Sequence, residues 1–335
     1  MNESAKIDNS TILVTGATGF VGSHLVERLL SRNCKIHCAT RKDSNLQWLD
    51  PARLTLHTVD LAHPPSLKEA LIDAEYVFHC AGLTKAKTRK EYFLANAGAS
   101  AGLYKACAEY GAKLKSIIHL SSLAATGPAA FNKPVDENSD CRPITHYGKS
   151  KLAGEEIARD FSATLPIVIL RPPVVYGPRE TDFFNYLKII RKGWNPVVGR
   201  AQRELSLIYV KDLVDAMVTA AENPVGQENI FFITDGNNYS WDEVAQTAMN
   251  IFGVKAKTVV IPEWVLPPAA LLAEAWSSLG SAPALLNRQK VKEICEKSWT
   301  ASAKKFFASH SFQPRYDLKR GLAESVDWYK KNRWL

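Results

Sequence analysis

Tyr147 and Lys151 are four residues apart in HYGKSKLAGEE, His146 to Glu156. On a helix this spacing places both side chains on one face, a single turn from each other. An ammonium beside a phenol favours the phenolate, so the pair predicts a tyrosine pKa lowered towards the working range of a general acid or base. A YxxxK pair alone is common by chance and is typical of a surface helix, so its meaning depends on the rest of the chain.

A second motif lies near the start of the chain, in TILVTGATGFVGSHLVERLL, Thr11 to Leu30. A short apolar run predicts a buried parallel strand, three glycines spaced GxxGxxG follow it, and the apolar residues then recur at helical spacing. Glycine lets the backbone approach a pyrophosphate, and the helix N-terminus attracts its charge. An ordinary glycine turn is the alternative. The predicted dinucleotide contacts here are Gly16, Thr18, Gly19, Phe20, Val21 and Gly22.

The second predicted strand, Lys35 to Thr40, is followed by Arg41 and Lys42. At this position of a dinucleotide site an acidic residue binds the adenosine ribose, whereas arginine accommodates a 2′-phosphate. The sequence therefore favours NADP over NAD. The alternatives are a contact from the nearby Asp43 and a solvated loop.

Three further strands are predicted at Leu54 to Val59, Glu75 to Cys80 and Ser116 to Leu120. The first ends at Asp60 and Leu61, a position suited to contacting adenine. The second ends at Ala81 and Gly82, where a small residue lets the backbone pass close to a cofactor. The repeated alternation of strands and helices predicts right-handed βαβ units in one parallel sheet.

Ser121 and Ser122 follow the last of these strands. A serine hydroxyl at this strand end could bind the reacting oxygen while Tyr147 moves a proton and a nicotinamide moves a hydride. The glycine turn, the serine pair and the YxxxK pair occur in the order that such a site requires, which makes the combination far more specific than any one motif.

Together these motifs resemble the extended branch of the short-chain dehydrogenase/reductase superfamily, which includes sugar epimerases, dihydroflavonol reductases and 3β-hydroxysteroid dehydrogenases. The resemblance covers at least two thirds of the chain. The matching segments are TGATGFVG (Thr15 to Gly22), DL (Asp60, Leu61), HCAG (His79 to Gly82), HLSS (His119 to Ser122), YGKSK (Tyr147 to Lys151), RPPVVYGP (Arg171 to Pro178) and LIYVKDLVDA (Leu207 to Ala216).

The resemblance implies a Rossmann domain that binds NAD(P), with Ser122, Tyr147 and Lys151 as the catalytic residues. Ser122 is selected over Ser121 by counting back five residues from Gly127. Asn96 falls where the family often has a supporting asparagine. In the run that starts at Arg171, Pro172 and Val174 match the segment on the nicotinamide side.

Two departures from the family bear on the substrate. Members that act on sugar nucleotides usually have a tyrosine where this chain has Thr126, and an arginine where it has Leu205, although Arg203 lies two residues away. We therefore expect a secondary alcohol or ketone on a largely apolar small molecule. A nucleotide-sugar epimerase or dehydratase is the alternative, and a catalytically silent cofactor sensor ranks last.

The length of 335 residues and an apolar content of 46% predict about two domains with a sizeable core. We expect an α/β fold: a doubly wound Rossmann sheet with a smaller, mostly helical C-terminal substrate lobe. The predicted division is a polar tail over 1–10, a Rossmann domain over 11–178 to which 205–235 returns, and a substrate lobe over 179–204 and 236–335. Strands predicted at Leu207 to Val210 and Asn229 to Thr234 form part of that return.

The remaining expectations concern partners and location. A formal charge of +8 comes without a basic stripe or a nucleic-acid motif, so it favours anionic small molecules over nucleic acid. Six cysteines without a CxxC pair or a metal-like spacing predict no metal site, and the polar start predicts a cytoplasmic protein. The family resemblance implies a homodimer through helices at Asn96 to Tyr110 and Tyr147 to Ala163.

Two segments have more than one interpretation. A basic loop with Lys85, Lys87, Arg89 and Lys90 is either solvated, the favoured interpretation, or a lid that meets a negatively charged substrate. The apolar stretch Pro262 to Leu286 is too interrupted for a membrane span. Its interpretations, in descending order, are a buried helical pair, an apolar substrate wall, and a peripheral membrane contact.

Overall fold

The computed structural model describes residues 6–224, 229–278, 284 and 286–335. Residues 1–5 of the predicted tail and residues 279–283 and 285 of the apolar stretch lie outside the described residues. The strands, in chain order, are β1 Thr11–Thr15, β2 Lys35–Thr40, β3 Thr55–Thr58, β4 Tyr76–His79, β5 Ser116–Leu120, β6 Ile167–Arg171, β7 Val174–Tyr176, β8 Trp194–Val198, β9 Glu204–Tyr209, β10 Ile230–Phe232, β11 Asn238–Ser240, β12 Lys257–Ile261 and β13 Ser298–Trp299.

The helices alternate with the strands through the first half of the chain and dominate its end. They are α1 Phe20–Leu30, α2 Lys68–Leu71, α3 Arg89–Phe93, α4 Ala99–Tyr110, α5 His146–Phe161, α6 Asp182–Arg191, α7 Val210–Glu222, α8 Trp241–Phe252, α9 Leu266–Ser278, α10 Arg288–Cys295, α11 Lys304–His310 and α12 Leu318–Lys331.

Within the described residues the main sheet has seven strands in the order β10-β6-β5-β4-β1-β2-β3, and every pair is parallel. Helices α1 and α7 cover one face, and helices α2, α4 and α5 cover the other. This is the predicted doubly wound Rossmann sheet. The carboxyl ends of β1, β4 and β5 therefore lie side by side, at the edge where such sheets bind ligands.

The second lobe combines helices with two small sheets. Helices α6, α8 and α12 pack on β7 and β9 around a core rich in aromatic side chains, among them Tyr176, Phe183 and Tyr329. Strand β9 is the centre of one small sheet, and β8 pairs with β12 in the other. The lobe is mostly helical, as predicted, but its strands were only partly predicted.

Two boundaries of the predicted division need correction. Of the two strands predicted to return to the first domain, β10 joins the main sheet, whereas β9 pairs with β7, β11 and β13 in the second lobe. In addition, α11 belongs to the core of the main sheet although the sequence places it in the substrate lobe. The reason is that Phe306 of α11 packs edge-on against Phe231 of β10, the edge strand of the main sheet, and so helps to bury it.

A buried ion pair fixes α5 on the main sheet. Arg171, the last residue of β6, donates to both carboxylate oxygens of Glu155 on α5, at 3.0 and 2.6 Å. Ser121 donates to the same carboxylate at 2.5 Å, and all three side chains are buried. Helix α5 is thus held against the ends of β5 and β6 by directional bonds in addition to apolar packing.

Replacing Arg171 by Met should lower the free energy of unfolding by about 3–5 kcal/mol, because it leaves Glu155 as a buried, uncompensated charge. Urea unfolding followed by circular dichroism measures this loss. Arg159→Met is the matched control, since Arg159 also approaches Glu155, at 3.5 Å, but is 46% exposed. We expect it to cost less than about 1 kcal/mol.

The double variant R171M/E155L should recover much of the loss, because it removes both charges together. Equal unfolding free energies for Arg171→Met and Arg159→Met would contradict the role given to the buried pair.

Candidate active site

The side chains of Ser122 and Tyr147 lie next to each other at the end of β5. Ser122 stands at the start of a short 3-10 turn, Leu123–Ala125, where its side chain accepts from the backbone N–H of Ala124 at 3.1 Å. Tyr147 lies in the first turn of α5, whose start is capped by Thr145. The Ser122 side chain lies close enough to the Tyr147 phenol to favour its ionised form and so lower its pKa.

The neighbouring serine has a different environment. Ser121 points to Glu155 and is buried, so its hydroxyl is engaged in the ion-pair network of α5. The structure therefore brings Ser122, and not Ser121, to Tyr147.

The predicted electrostatic effect of Lys151 on Tyr147 is wrong. Burial raises the pKa of Tyr147 to about 12, and the Ser122 side chain opposes that rise only in part. The Lys151 ammonium is directed elsewhere, because it donates to the carbonyl oxygen of Leu120 at 2.6 Å. The phenol is consequently protonated at neutral pH and can act as a proton donor.

Lys151 is buried behind the serine turn. Loss of hydration lowers its pKa to about 8, with opposing effects from Glu155 and Cys80. Its ammonium lies at the edge where Gly82 passes, since a Cβ added at Gly82 would be 3.8 Å from Nζ. Lys151 and the Ala81–Gly82 strand end are therefore neighbours.

Asn96 supports this strand end from a turn of π-helix, Leu94–Gly98. Its side chain accepts from the N–H of Leu83 at 2.8 Å and donates to the Leu83 carbonyl and to Ser150 on α5. A Cβ at Gly82 would approach the Asn96 oxygen to 2.8 Å, so only glycine fits there. The asparagine thus ties the loop after β4 to α5.

Two buried histidines fill the space beneath Lys151. His79 bridges Thr15 and Ser100, at 2.7 and 2.9 Å, and His119 contacts the Tyr104 hydroxyl at 2.5 Å. Burial lowers the pKa of His79 to about 3, and the Lys151 charge acts in the same direction. Both imidazoles are neutral and serve as hydrogen-bonding connections between β1, β4, β5 and α4.

The glycine turn has the geometry that a pyrophosphate needs. Gly16 has φ +70°, and a Cβ there would lie 2.6 Å from the Ala81 nitrogen. A Cβ at Gly22 would lie 2.1 Å from the Gly16 carbonyl oxygen, so the turn and α1 could not pack as they do. Gly19 is the exposed N-cap of α1 and offers no side chain to the first-turn N–H groups. This donor set fits a bound dinucleotide phosphate.

Thr18, Phe20 and Val21 line the same turn, and each is partly exposed. Ser23, one residue beyond the glycines, is buried and accepts from Arg179, which follows β7. The second lobe thus contacts α1 one turn beyond its N-terminus.

The predicted adenosine side of the site is open. Arg41 and Lys42 directly follow β2, and Arg41 is 75% exposed with a loose contact of 3.6 Å to Asp43. Asp60 lies at the end of β3, where its carboxylate accepts from the Ala62 N–H at 2.9 Å. The Leu61 carbonyl packs on Gly102 of α4 so closely that a Cβ there would lie 2.0 Å away.

In the segment predicted for the nicotinamide side, Arg171 has a different structural role from Pro172 and Val174. Arg171 is buried in the ion pair with Glu155, so it positions α5. Pro172 is buried and its carbonyl accepts from Leu123 in the serine turn at 2.8 Å, whereas Val174 is exposed at the start of β7. Pro172 therefore borders the serine turn, whereas Val174 pairs with Leu207 of β9.

Sequence reasoning missed two residues that position the catalytic helix. Glu155 is four residues after Lys151, so these two side chains share one buried face of α5, and the half-buried Tyr147 lies one turn before them. A carboxylate on that face needs a buried cation, and this requirement points to Arg171. Gln289 of α10 accepts from the His146 N–H at 2.9 Å, and no local pattern indicates that contact.

The comparison with known families agrees with this geometry. A family model described as the NAD dependent epimerase/dehydratase family matches residues 12–233. The chain belongs to this family. The predicted resemblance to extended short-chain dehydrogenases/reductases is confirmed, as is an enzyme of the dehydrogenase, reductase or epimerase type.

Similar proteins include both reductases and epimerases. A ceramide reductase of Caulobacter vibrioides is 28% identical over 97% of this chain and 96% of its own. A UDP-glucose 4-epimerase of Vibrio cholerae is 27% identical over 77% of this chain and 78% of its own. A UDP-glucuronic acid 4-epimerase from Bacillus cereus, solved in complex with NAD, superposes with a TM-score of 0.76 at 23% identity, covering 96% of both chains.

The described residues contain neither a membrane-spanning helix nor a cluster of metal-binding side chains. In that part of the chain no helix is both long and apolar enough to cross a bilayer. No group of three or more His, Cys, Asp or Glu side chains there could hold a metal ion.

Lys151 should make stability depend on pH. Its pKa falls from 10.5 to about 8 on folding, so between these values the unfolded chain binds more protons and the free energy of unfolding rises with pH. The full rise is roughly 3 kcal/mol for a shift of this size. Lys151→Met should remove this rise. Urea unfolding at pH 8, 9 and 10 would then show the wild type gaining unfolding free energy relative to the variant as the pH increases.

Lys149→Met is the control, because Lys149 is exposed on the same helix. A gap between wild type and Lys151→Met that stays constant over this pH range would disprove the lowered pKa.

Proposed function

We propose that this protein is an NADP-preferring reductase that converts a ketone on a largely apolar small molecule to a secondary alcohol. The observation that carries the proposal is the pair formed by Ser122 and the protonated phenol of Tyr147 at the end of β5. A bound nicotinamide dinucleotide would supply the hydride. The chain's own residues supply the proton and hold the reacting oxygen.

Tyr147 donates its phenolic proton to the carbonyl oxygen of the substrate. A pKa of about 12 keeps this group protonated at neutral pH, the form that reduction needs. Ser122 donates a second hydrogen bond to the same oxygen and so stabilises the negative charge that develops there. Lys151, held by the Leu120 carbonyl next to Gly82, binds the ribose on the nicotinamide side.

The contacts of Arg203 favour an apolar substrate over a sugar nucleotide. Its guanidinium contacts the Val198 carbonyl and pairs with Glu263 at 2.6 Å, and its side chain is only 9% exposed. It is therefore committed to the second lobe and is not available for a diphosphate. Leu205, at the position where sugar-nucleotide members usually have arginine, is buried in the core around β9.

The relatives are consistent with this choice. The similar protein of Caulobacter vibrioides is a ceramide reductase, whose name denotes a lipid substrate. The UDP-glucose 4-epimerase relative keeps a sugar nucleotide as the second candidate. Thermal-shift measurements with uridine and thymidine diphosphates separate the two, because stabilisation by either would favour the second candidate.

The homodimer inferred from the family resemblance stays a prediction, as does a cytoplasmic location. Helices α4 and α5, which would form the dimer contact, pack against each other on one face of the main sheet.

Tyr147→Phe should reduce turnover by roughly 10²- to 10⁴-fold, because it removes the proton donor and little else. NADPH oxidation in the presence of a ketone panel measures turnover, and thermal shift shows that the cofactor still binds. Tyr92→Phe is the matched control, since its ring lies 6.3 Å from that of Tyr147 and its hydroxyl contacts backbone groups at Thr84 and Ala86. Normal turnover by Tyr147→Phe would refute the mechanism.

Cofactor preference should depend on Arg41 and Lys42. Replacing both by Ala should raise the KM for NADPH by roughly tenfold, the loss expected for one charged hydrogen bond to the 2′-phosphate, and leave the KM for NADH unchanged. Lys35→Ala, at the opposite end of β2, is the control. An equal change in the KM values for NADPH and NADH would show that Arg41 and Lys42 do not bind the 2′-phosphate.

A further inference from the structure

Helix α9 has two apolar faces, and only one of them is covered. Leu266 and Ala270 are buried against Val291 of α10. The opposite face carries Leu271 and Leu272, which are 51% and 74% exposed. The favoured interpretation of this stretch, a buried helical pair, therefore holds for one face of α9 only.

The exposed face is bounded by tryptophans. Trp264, just before the helix, is 77% exposed, and Trp276, near its end, is 82% exposed. Pro268, Leu272 and Trp276 follow each other at four-residue spacing, so they form one continuous stripe along the helix. A helix that is apolar all round is normally buried, so this stripe indicates an apolar partner.

The neighbouring surface is cationic. Helix α10 exposes Arg288, Lys290 and Lys292, whereas its carboxylates Glu293 and Glu296 are half-buried. Arg288 pairs with Glu274 of α9, which fixes the two helices together. Lys290 pairs with Glu293 at 3.1 Å, and Lys292 takes part in no ion pair among the described residues. The outer surface of this helical pair thus combines an apolar stripe with an excess of positive over negative charge.

The helical pair also borders the candidate active site. Gln289 accepts from the His146 N–H, one residue before Tyr147, and Lys292 faces His146 together with Arg89 and Lys149. Among the described residues, Arg89, Lys149 and Lys292 take part in no ion pair with a carboxylate. Positive charge therefore continues from α10 to the start of α5, next to Tyr147.

We propose that α9 and α10 dock the protein on an anionic lipid bilayer and bring the start of α5, next to Tyr147, close to the lipid surface. Tryptophan rings favour the boundary between headgroups and acyl chains, leucines enter the apolar layer, and lysine and arginine bind anionic headgroups. A second copy of the chain on the same stripe would bring the cations of both α10 helices together, so charge favours lipid over a symmetric dimer.

The bilayer also serves as the source of substrate. This part of the inference rests on the proposed function, because an apolar ketone dissolved in the membrane would reach Tyr147 without crossing water. The docking itself does not depend on any reaction, so the two can be tested separately.

Flotation of the full-length protein with vesicles tests the docking. We expect the protein to float with vesicles of phosphatidylcholine and phosphatidylglycerol and much less with phosphatidylcholine alone, and added salt should weaken the binding. The double variant W264Q/W276Q should bind roughly tenfold less. Ile72→Gln is the matched control, because Ile72 is a half-exposed apolar residue just after α2 and should leave binding unchanged.

Wild-type protein that does not float with either vesicle would overturn the docking. Light scattering adds a second test: conversion of a dimer to a monomer by W264Q/W276Q, with no vesicle binding by the wild type, would assign the stripe to a contact between chains.

Turnover separates docking from chemistry. W264Q/W276Q should keep full activity on a short, water-soluble ketone and lose activity on a long-chain ketone held in vesicles. Wild-type protein that floats but reduces neither ketone would refute the proposed function and leave the docking intact. Protein that reduces both ketones equally well without floating would refute the docking alone.

Discussion

The buried ion pair between Arg171 and Glu155 is the interaction on which the candidate site depends. It joins the last residue of β6 to the middle of α5, and Ser121 adds the end of β5 to the same carboxylate. Three elements that are distant in sequence are thus fixed at one point, directly behind the serine turn. Apolar packing alone would allow α5 to slide or rotate on the sheet, whereas directional bonds to a charged group do not.

The position of α5 decides the chemistry of its side chains. Because the helix is held against the sheet, both Tyr147 and Lys151 lose water, and this burial moves their pKa values in opposite directions, to about 12 and about 8. A buried phenol stays protonated and a buried ammonium is weakened. The phenol is then suited to donate a proton to a carbonyl oxygen, as the proposed reduction requires.

The second lobe differs from the first in what its sequence can specify. Its core around Tyr176, Phe183 and Tyr329 is built from aromatic side chains on α6, α12 and β7, so contacts between distant segments decide the architecture. Helix α9 lies at the edge of this lobe with only one face packed. Its exposed stripe belongs to the same helical pair as Gln289 of α10, which contacts the start of α5 one residue before Tyr147.

Much of the first domain could be predicted from local signals. The glycine turn, the alternating strands and the YxxxK pair each depend on residues close in sequence, so β1, α1 and α5 lie where the patterns placed them. Of the two serines, Ser122 lies against Tyr147 and Ser121 bonds to Glu155. The roles of these residues in catalysis and cofactor binding stay predictions.

Other features were decided by the tertiary structure. The sequence determined that a tyrosine and a lysine share a helical face, because that follows from 3.6 residues per turn. It could not determine that Lys151 turns to the Leu120 carbonyl, or that the phenol is buried, because both depend on which strands α5 packs against. For the same reason the sequence could not determine that β9 lies outside the main sheet or that α11 packs into its core. Strand pairing and the packing of an edge strand depend on contacts between residues distant in sequence.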